Sequence, residues 1–554
     1  MTDARPDEPR PWLEHYPPSY PEGFEPEYDN LAQMFAAAVA RDPGATIIRY
    51  FDYDMTLSQL DEASDAVAAG LADHGVVKGD RVALYLQNVP QFPIAMLGIF
   101  KLGAAIVTIN PMNRQRELAY QLKDSGAKAL ICLQSLYAVA ADVVPDTDVS
   151  LVLTTSELRY QTRNDDRVLG KSVDEHTGGV DLEEFIGRYR GVTPPAPAID
   201  PEDLAGLCYT SSTTGDPKGA MLLHRNLVFA AQNKVLWNQI TTNDAVYAVA
   251  PFFHLTGLIN HLFVGMYAGI PIAMTFRFDP VLGAEEVRDK RLTLTTGPIT
   301  IFIAWLNSPS VTREHLVSMR QIASGGAPVP PQVVADFEEK FGKYIQIGYG
   351  MTESSAGTHT VPIGMRAPID KQSNAISVGL PVFNTLARVI DDDGNPVPPG
   401  TAGQLQVEGP GIIAGYWGLP EATAEAMPRP RCMNTGDIAV MDAEGLFYIV
   451  DRMKDMISAS GFKVWPREVE DVLYSHPSVR EAAVVGVPDD YRGETVKAVV
   501  SLLDGASATP DEIRDYCRAQ MAVYKYPRIV EIVDELPKNA SGKILRRELR
   551  DAAR

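Results

Sequence analysis

Cysteine is scarce and scattered in this chain. Cys132, Cys208, Cys432 and Cys517 are the only four in 554 residues, with no C-x-x-C pair and no metal-ligand spacing. A reduced protein of the cytoplasm is the simple reading. Positive charge is also short: 50 Lys and Arg stand against 71 Asp and Glu, a net charge of −21. A protein that grips a nucleic-acid backbone needs a basic face, so nucleic acid is excluded as a bulk partner. A small anionic ligand is not excluded, because a local basic patch holds one against the global sign. The opening MTDARPDEPRPWLEHYPPSYPEGF has no apolar h-region and does not read as a signal peptide. Long apolar runs are missing as well. The nearest, 257-GLINHLFVGMYAGIPIAM-274, carries Asn260 and His261 and is cut by Pro271. A buried core segment is expected there, not an integral membrane span. Neither an internal repeat nor a low-complexity tract is visible.

What is present is ordinary globular material, 45% hydrophobic and 22% charged, in a chain too long for one core. RVALYL (81–86), PQFPIAMLGIFKLG (90–103) and AAIVTIN (104–110) read as strand, helix and strand. ALICL (129–133) and SLVLTT (150–155) continue the alternation, which predicts a largely parallel sheet covered on both faces. Residues 156–200 are polar and end in VTPPAPAIDP, so a surface excursion and linker is expected. Strand and helix signals alternate again over 201–380. The texture then changes. Residues 387–410 and 436–452 are short β runs separated by DG and EG turns, hence antiparallel hairpins. After Asp451, WPREVEDVLYSHPSV and TPDEIRDYCRAQM read as helices, the second begun by a Thr-Pro-Asp-Glu cap, and EAAVVGVPD and TVKAVVSLLD read as strands. The fold class is α/β. An extension (1–30) precedes a large domain (31–451) of parallel-rich sheets with helices and a small β-barrel-like subdomain, and a small α/β domain follows (452–554).

Chemistry concentrates in 209-YTSSTTGDPKGA-220. Six hydroxyl residues, Tyr209, Thr210, Ser211, Ser212, Thr213 and Thr214, run up to Gly215, and Lys218 and Gly219 follow. Such a loop offers N–H groups and hydroxyls to one anion and adds a mobile cation, which suits phosphate; the bland reading is a surface Ser/Thr turn. It is not the Walker pattern, because no Ser or Thr follows Lys218. Gly170-Lys171-Ser172 lacks the upstream Gly and reads as a loop. In GYGMTES (348–354), the Glu353 carboxylate beside phosphates calls for a bridging cation. Thr352 and Glu353 equally suit a helix N-terminus. Asp437 offers two oxygens to a diol, though alone it and Arg452 read as a turn and a surface charge. Lys543 sits among Lys538, Arg546, Arg547 and Arg550, blandly a basic tail opening a helix. His254, after Phe252 and Phe253, reads by itself as a satisfied core histidine.

Together these stretches carry a resemblance. YTSSTTGDPKGA, PFFHLTG (251–257), SGGAPV (324–329), GYGMTES, NTGD (434–437), DRMKDMISASGFKVWPREVE (451–470) and PKNASGKILRREL (537–549) are seven motifs in the order found in the adenylate-forming superfamily. That superfamily comprises acyl-CoA synthetases, aryl-CoA ligases, luciferases and peptide-synthetase adenylation domains. The chain resembles it over about residues 30–550, and WLEHYPPSYP resembles the opening of bacterial fatty-acyl-CoA ligases. The resemblance implies that Thr210, Ser211, Thr213, Thr214 and Lys218 hold the β- and γ-phosphates of ATP. Ser212 stands where the family usually has Gly, losing backbone freedom but adding a hydroxyl. It implies that Tyr349 stacks on adenine near Gly326, Ala327 and Ile449, that Asp437 holds the ribose and Arg452 reaches the same ribose or the phosphate, that Thr352 meets the α-phosphate and that Glu353 holds Mg2+. His254, Thr256, Gly257, Gly326 and Gly348 would line the acyl site. Lys543 would bridge the acyl carboxylate and α-phosphate where negative charge gathers in the transition state. Lys454 would be the hinge of a mobile C-terminal lid, with Ser460, Gly461 and Lys463 along the CoA channel.

The resulting expectation is an AMP-forming acid–thiol ligase using ATP, Mg2+ and CoA. Its substrate is expected to be a medium- or long-chain fatty acid, with an aryl or cinnamoyl-type acid as the runner-up; a homodimer is the family's common habit. Presenting one lid face per half-reaction reconciles excluding water with admitting a bulky second substrate. Transfer to a carrier protein or an amine, activation of an unusual oxyanion, and a sensor with a degenerate nucleotide site stay open at this level.

Overall fold

The three-dimensional arrangement is a computed structural model, which describes residues 9–172, 176, 178–210, 216–371, 373, 375–452, 455–459, 462–489, 493–539 and 543–551. A seven-stranded sheet runs in the order Val180–Asp181, Leu151–Thr155, Ala129–Leu133, Arg81–Tyr85, Ala105–Thr108, Leu204–Tyr209, Gly219–Leu223. Only the last pair is antiparallel. Every residue of Ala129–Leu133 is buried, because helices cover both faces of a parallel sheet. The elements expected over 81–155 form with ends shifted by no more than two residues.

A nine-stranded sheet runs Leu380–Pro381, Ala356–Thr360, Ile345–Met351, Gln321–Ser324, Leu294–Gly297, Val246–Tyr247, Ile272–Met274, Thr46–Tyr50, Tyr53–Thr56. It is parallel through its middle and antiparallel at both ends. Residues 257–274 are core, as expected: Leu255–Gly257 and Val264–Ala268 are α-helical, Leu258–Phe263 is π-helical, and Ile272–Met274 lies inside the sheet. No helix among the described residues is long and apolar enough to cross a membrane. The hairpin-rich stretch becomes an antiparallel sheet in chain order, Leu386–Ile390, Gly403–Glu408, Cys432–Met441, Phe447–Arg452.

One expectation is corrected. Residues 156–200 are not merely a surface excursion: Val180–Asp181 joins the seven-stranded sheet, and Leu182–Tyr189 is a helix burying Leu182, Phe185 and Ile186. Their i, i+3, i+4 spacing makes an apolar stripe inside a charged stretch. Phe185 lies so close to the helix Leu57–Asp73 that a Cβ on Gly70 would come within 2.3 Å of its ring.

Apolar packing separates the chain after the antiparallel sheet. One continuous core gathers buried residues from Trp12 to Phe447, and another gathers residues from Ile457 to Tyr526. The second is built on the strands Val479–Asp489 and Gly493–Leu502 and the helices Pro466–Tyr474 and Pro510–Gln520. The last of these helices starts at Thr509 with a reciprocal cap to Glu512, as its sequence predicts. The N-terminal segment packs on the large core, with Tyr16, Tyr20 and Phe24 against Trp237, Phe383 and Phe229.

Candidate active site

A cavity of about 640 Å³ opens beyond the ends of the strands Leu204–Tyr209, Gln321–Ser324 and Ile345–Met351, where open α/β sheets bind ligands. Thr210, Lys218, His254, Thr256, Gly326, Ala327, Gly348, Tyr349, Thr352, Glu353, Asp437, Arg452 and Lys543 all line it. Ser211, Ser212, Thr213, Thr214, Lys454, Ser460 and Gly461 lie outside the described residues. Lys463 falls in the short strand Phe462–Val464, paired with Ser458.

At the hydroxyl-rich loop, the Thr210 N–H donates to the Lys218 carbonyl at 2.9 Å and ties Thr210 to Lys218. Lys218 Nζ stands 5.0 Å from the Tyr416 ring centroid, a cation–π contact. The Tyr416 hydroxyl donates to Glu353 Oε1 at 2.8 Å. Glu353 sits in a single 3₁₀ turn, Thr352–Ser354, between two antiparallel strands. Tyr416 escaped the sequence reading. It arrives because residues 414–417 pair with the strand Gly219–Leu223 through the Met221 N–H to Gly415 and the Trp417 N–H to Gly219, and nothing local in GYWG announces that.

On the opposite wall the Tyr349 hydroxyl donates to Asp437 Oδ2 at 2.6 Å, and Arg452 Nε stands 3.5 Å from Asp437 Oδ1. Burial, then the Asp437 charge, raise the Tyr349 phenol well above its ordinary value, so it stays a donor. Gly326 has φ +78° and faces open space, a conformation that glycine adopts without strain. Ile449 lines an adjoining cavity of about 400 Å³ that shares Tyr349, Asp437 and Lys543.

Lys543 comes from the C-terminal part. Its N–H donates to Asn539 Oδ1 and the Asn539 N–H to its carbonyl, both at 2.8 Å. The helix that follows, Arg546–Asp551, is pinned by ions: Arg546 reaches Glu470 at 2.6 Å and Asp451 and Asp455 at 3.5 Å, and Arg550 reaches Asp455 at 3.0 Å. Burial, reinforced by Arg452, pushes the Lys543 ammonium down to about 8. This clamp was not read from the sequence, where Arg546 and Arg550 looked like tail charges.

His254 and Thr256 line the remaining wall, with the Thr256 N–H pointing at His254 Nδ1 at 3.4 Å. Burial pushes His254 down to about 4, so it is neutral in ordinary buffer. Gly257 lies behind that wall, not on it: a Cβ there would meet the Pro251 and Ala250 carbonyl oxygens at 2.2 and 2.5 Å, so backbone packing requires the glycine. The helix His224–Trp237 supplies lining residues that the sequence reading missed, Lys234 among them.

Lys218 beside the hydroxyl-rich loop, the buried Glu353 carboxylate and Lys543 from the C-terminal part all line one cavity, an arrangement that suits an anionic ligand and a cation. Comparison with known proteins makes this specific. The family described as AMP-binding enzyme matches residues 35–417, and the AMP-binding enzyme C-terminal domain matches residues 468–543. The chain is similar to a long-chain-fatty-acid–CoA ligase of Escherichia coli O6:H1, 38% identical over 98% of each chain. It is also similar to a feruloyl-CoA synthase of an Amycolatopsis species, 34% identical over 92% of this chain and 96% of that one. Among solved structures, the anthranilate CoA ligase AuaEII in complex with anthranoyl-AMP superposes with a TM-score of 0.86 at 26% identity, covering 96% of this chain and 98% of that one. The chain belongs to the AMP-binding enzyme family.

Proposed function

We propose that this protein is an AMP-forming acid–thiol ligase that activates a carboxylic acid with ATP and passes the acyl group to CoA. The observation that carries the reading is Lys543, which the C-terminal part contributes to the cavity that holds Lys218, Glu353 and Asp437. In the first half-reaction a carboxylate oxygen attacks the α-phosphorus, the α–β phosphoanhydride bond breaks, and acyl-AMP and pyrophosphate result. Lys218 and Thr210 hold the departing phosphates, together with the hydroxyls of Ser211, Ser212, Thr213 and Thr214. Thr352 meets the α-phosphate, Tyr349, Gly326, Ala327 and Ile449 take the base, and Asp437 and Arg452 take the ribose. Lys543 bridges the two negative partners, lowering their repulsion in the transition state. In the second half-reaction the CoA thiol attacks the acyl carbon, AMP leaves with the electron pair of the anhydride bond, and the thiol proton passes to solvent.

Glu353 fits a magnesium ion. Its carboxylate is buried, one oxygen is held by Tyr416, and no cationic side chain pairs with it among the described residues. Mg2+ is commonly held by one or two carboxylates plus substrate phosphates, and it would supply charge neutralisation there. The C-terminal domain is taken to begin at residue 452 and to turn about Lys454, withdrawing Lys543 and bringing Ser460, Gly461 and Lys463 to the thiol path. His254, Thr256 and Gly348 face the acyl group. The names of the relatives favour a long-chain fatty acid as substrate, and the cytoplasm is the proposed location.

Acid-dependent ATP–pyrophosphate exchange tests the reading, with CoA added in a second step. Lys543→Ala is expected to lower exchange by roughly 10²–10³-fold. Exchange with no acid, or undiminished exchange in that variant, would sink it; AMP release that ignores CoA would sink the acceptor assignment.

A further inference from the structure

The helix His224–Trp237 turns Phe229, Ala230, Asn233, Lys234 and Trp237 toward the cavity, the i, i+1, i+4, i+5, i+8 stripe of one helix face. Phe229, Ala230 and Trp237 suit a hydrocarbon chain. Lys234 does not. Among the described residues its ammonium has no hydrogen bond and no ion pair, and desolvation alone pushes it down to about 8. The titratable group that feels its charge is His261, buried, neutral and accepting the Ala250 N–H at 3.2 Å. On the same helix face, Asn233 Oδ1 and Trp237 Nε1 also lack a partner among the described residues.

This ammonium is not simply a surface charge that drapes its stem over the core. The helix face is backed by the N-terminal segment, with Phe24 stacked on Phe229 at 5.2 Å and Tyr20 packed on Trp237 at 4.9 Å, and by Phe383, which packs on Trp237 at 5.0 Å. Lys234 is also separate from the catalytic lysine. Lys543 exerts its charge on His254, whereas Lys234 exerts its own on His261. A plain alkyl tail laid along this face would strip water from an ammonium and offer nothing in return. An oxygen acceptor in the tail would satisfy it.

We propose that the acid taken by this site carries an acceptor oxygen remote from its reacting carboxyl group, received by Lys234 on the helix His224–Trp237. The assignment rests on the ligase reading above and narrows its substrate class. Carboxylate, ketone and hydroxyl share the required chemistry.

The test is acid-dependent ATP–pyrophosphate exchange by the full-length protein, with length-matched aliphatic acids that are unsubstituted, ω-carboxylated, ketonic or hydroxylated. Wild type, Lys234→Met and Lys234→Arg are compared. Wild type is expected to favour at least one oxygenated acid over its plain counterpart by about tenfold or more in kcat/KM. Lys234→Met should invert that ratio, and Lys234→Arg should keep it. Which oxygenated acid leads identifies the acceptor. Equal or better use of the plain acid by wild type overturns the inference while leaving the ligase reading intact, and so does an unchanged ratio in Lys234→Met. Exchange with no acid of any kind overturns both. Melting temperatures are read alongside; if Lys234→Met does not fold, the wild-type panel decides alone.

Discussion

At the scale of single residues, the cavity separates side chains whose type announces their task from those that only position announces. Lys218, Glu353, Asp437 and Lys543 are legible in the sequence, because each sits in a short motif whose neighbours fix its backbone. Tyr416 and Lys234 are not, because an aromatic or a lysine on a helix is far more often packing or surface. Two outcomes follow from their chemistry. In the proposed reaction Lys543 acts as a cation, and burial has pushed its ammonium down to about 8. The kcat/KM for adenylation should therefore be full below that value and fall as pH rises through it. Lys543→Arg, which stays charged, should remove the alkaline fall even if its rate is lower. A profile measured by pyrophosphate exchange checks this, and an alkaline limb unmoved in the arginine variant would count against it. Tyr416 holds Glu353 Oε1 through its hydroxyl. Tyr416→Phe should raise the Mg2+ concentration needed for half-maximal exchange by about tenfold, read from a magnesium titration.

At the scale of elements, the strands and helices of 81–155 were readable because buried parallel strands are continuous apolar runs. Leu182–Tyr189 was not, because three apolar side chains among acidic and basic ones looked like a polar excursion. Phe185 is fully buried, and Phe185→Ala should cost about 3–5 kcal/mol, measured by chemical denaturation. A loss near zero would restore the linker reading. The C-terminal helix Arg546–Asp551 carries the second element-scale case. Arg546 is surrounded by Asp451, Asp455 and Glu470, and its removal leaves buried carboxylates unpaired. Arg546→Met should lower adenylation by at least about tenfold, while thioester formation from supplied acyl-AMP changes less. Equal loss in both half-reactions would indicate a general folding defect instead.

At the scale of the whole molecule, the largest core and the main C-terminal core give the proposed boundary at 452 a physical content, since buried residues of the first run only to Phe447 and those of the second begin at Ile457, with Tyr474 packing on both. A chain ending at residue 452 should fold and bind AMP, detected by calorimetry, yet show no pyrophosphate exchange because Lys543 is gone. Failure of that chain to fold would show that the large core depends on the small one. The sequence by itself determined the α/β class, the change of texture near Asp451 and the motif residues, because periodicity and turn chemistry are local. It also determined that the apolar run 257–274 is core, since its polar residues and proline forbid a span. Only the tertiary structure decided that Tyr416 meets Glu353, that Arg546 anchors the segment bearing Lys543, and that Lys234 faces the cavity with no counter-charge among the described residues. Those facts depend on which distant segments the two cores pull together, and burial of apolar surface is non-directional, so no short stretch of sequence encodes them.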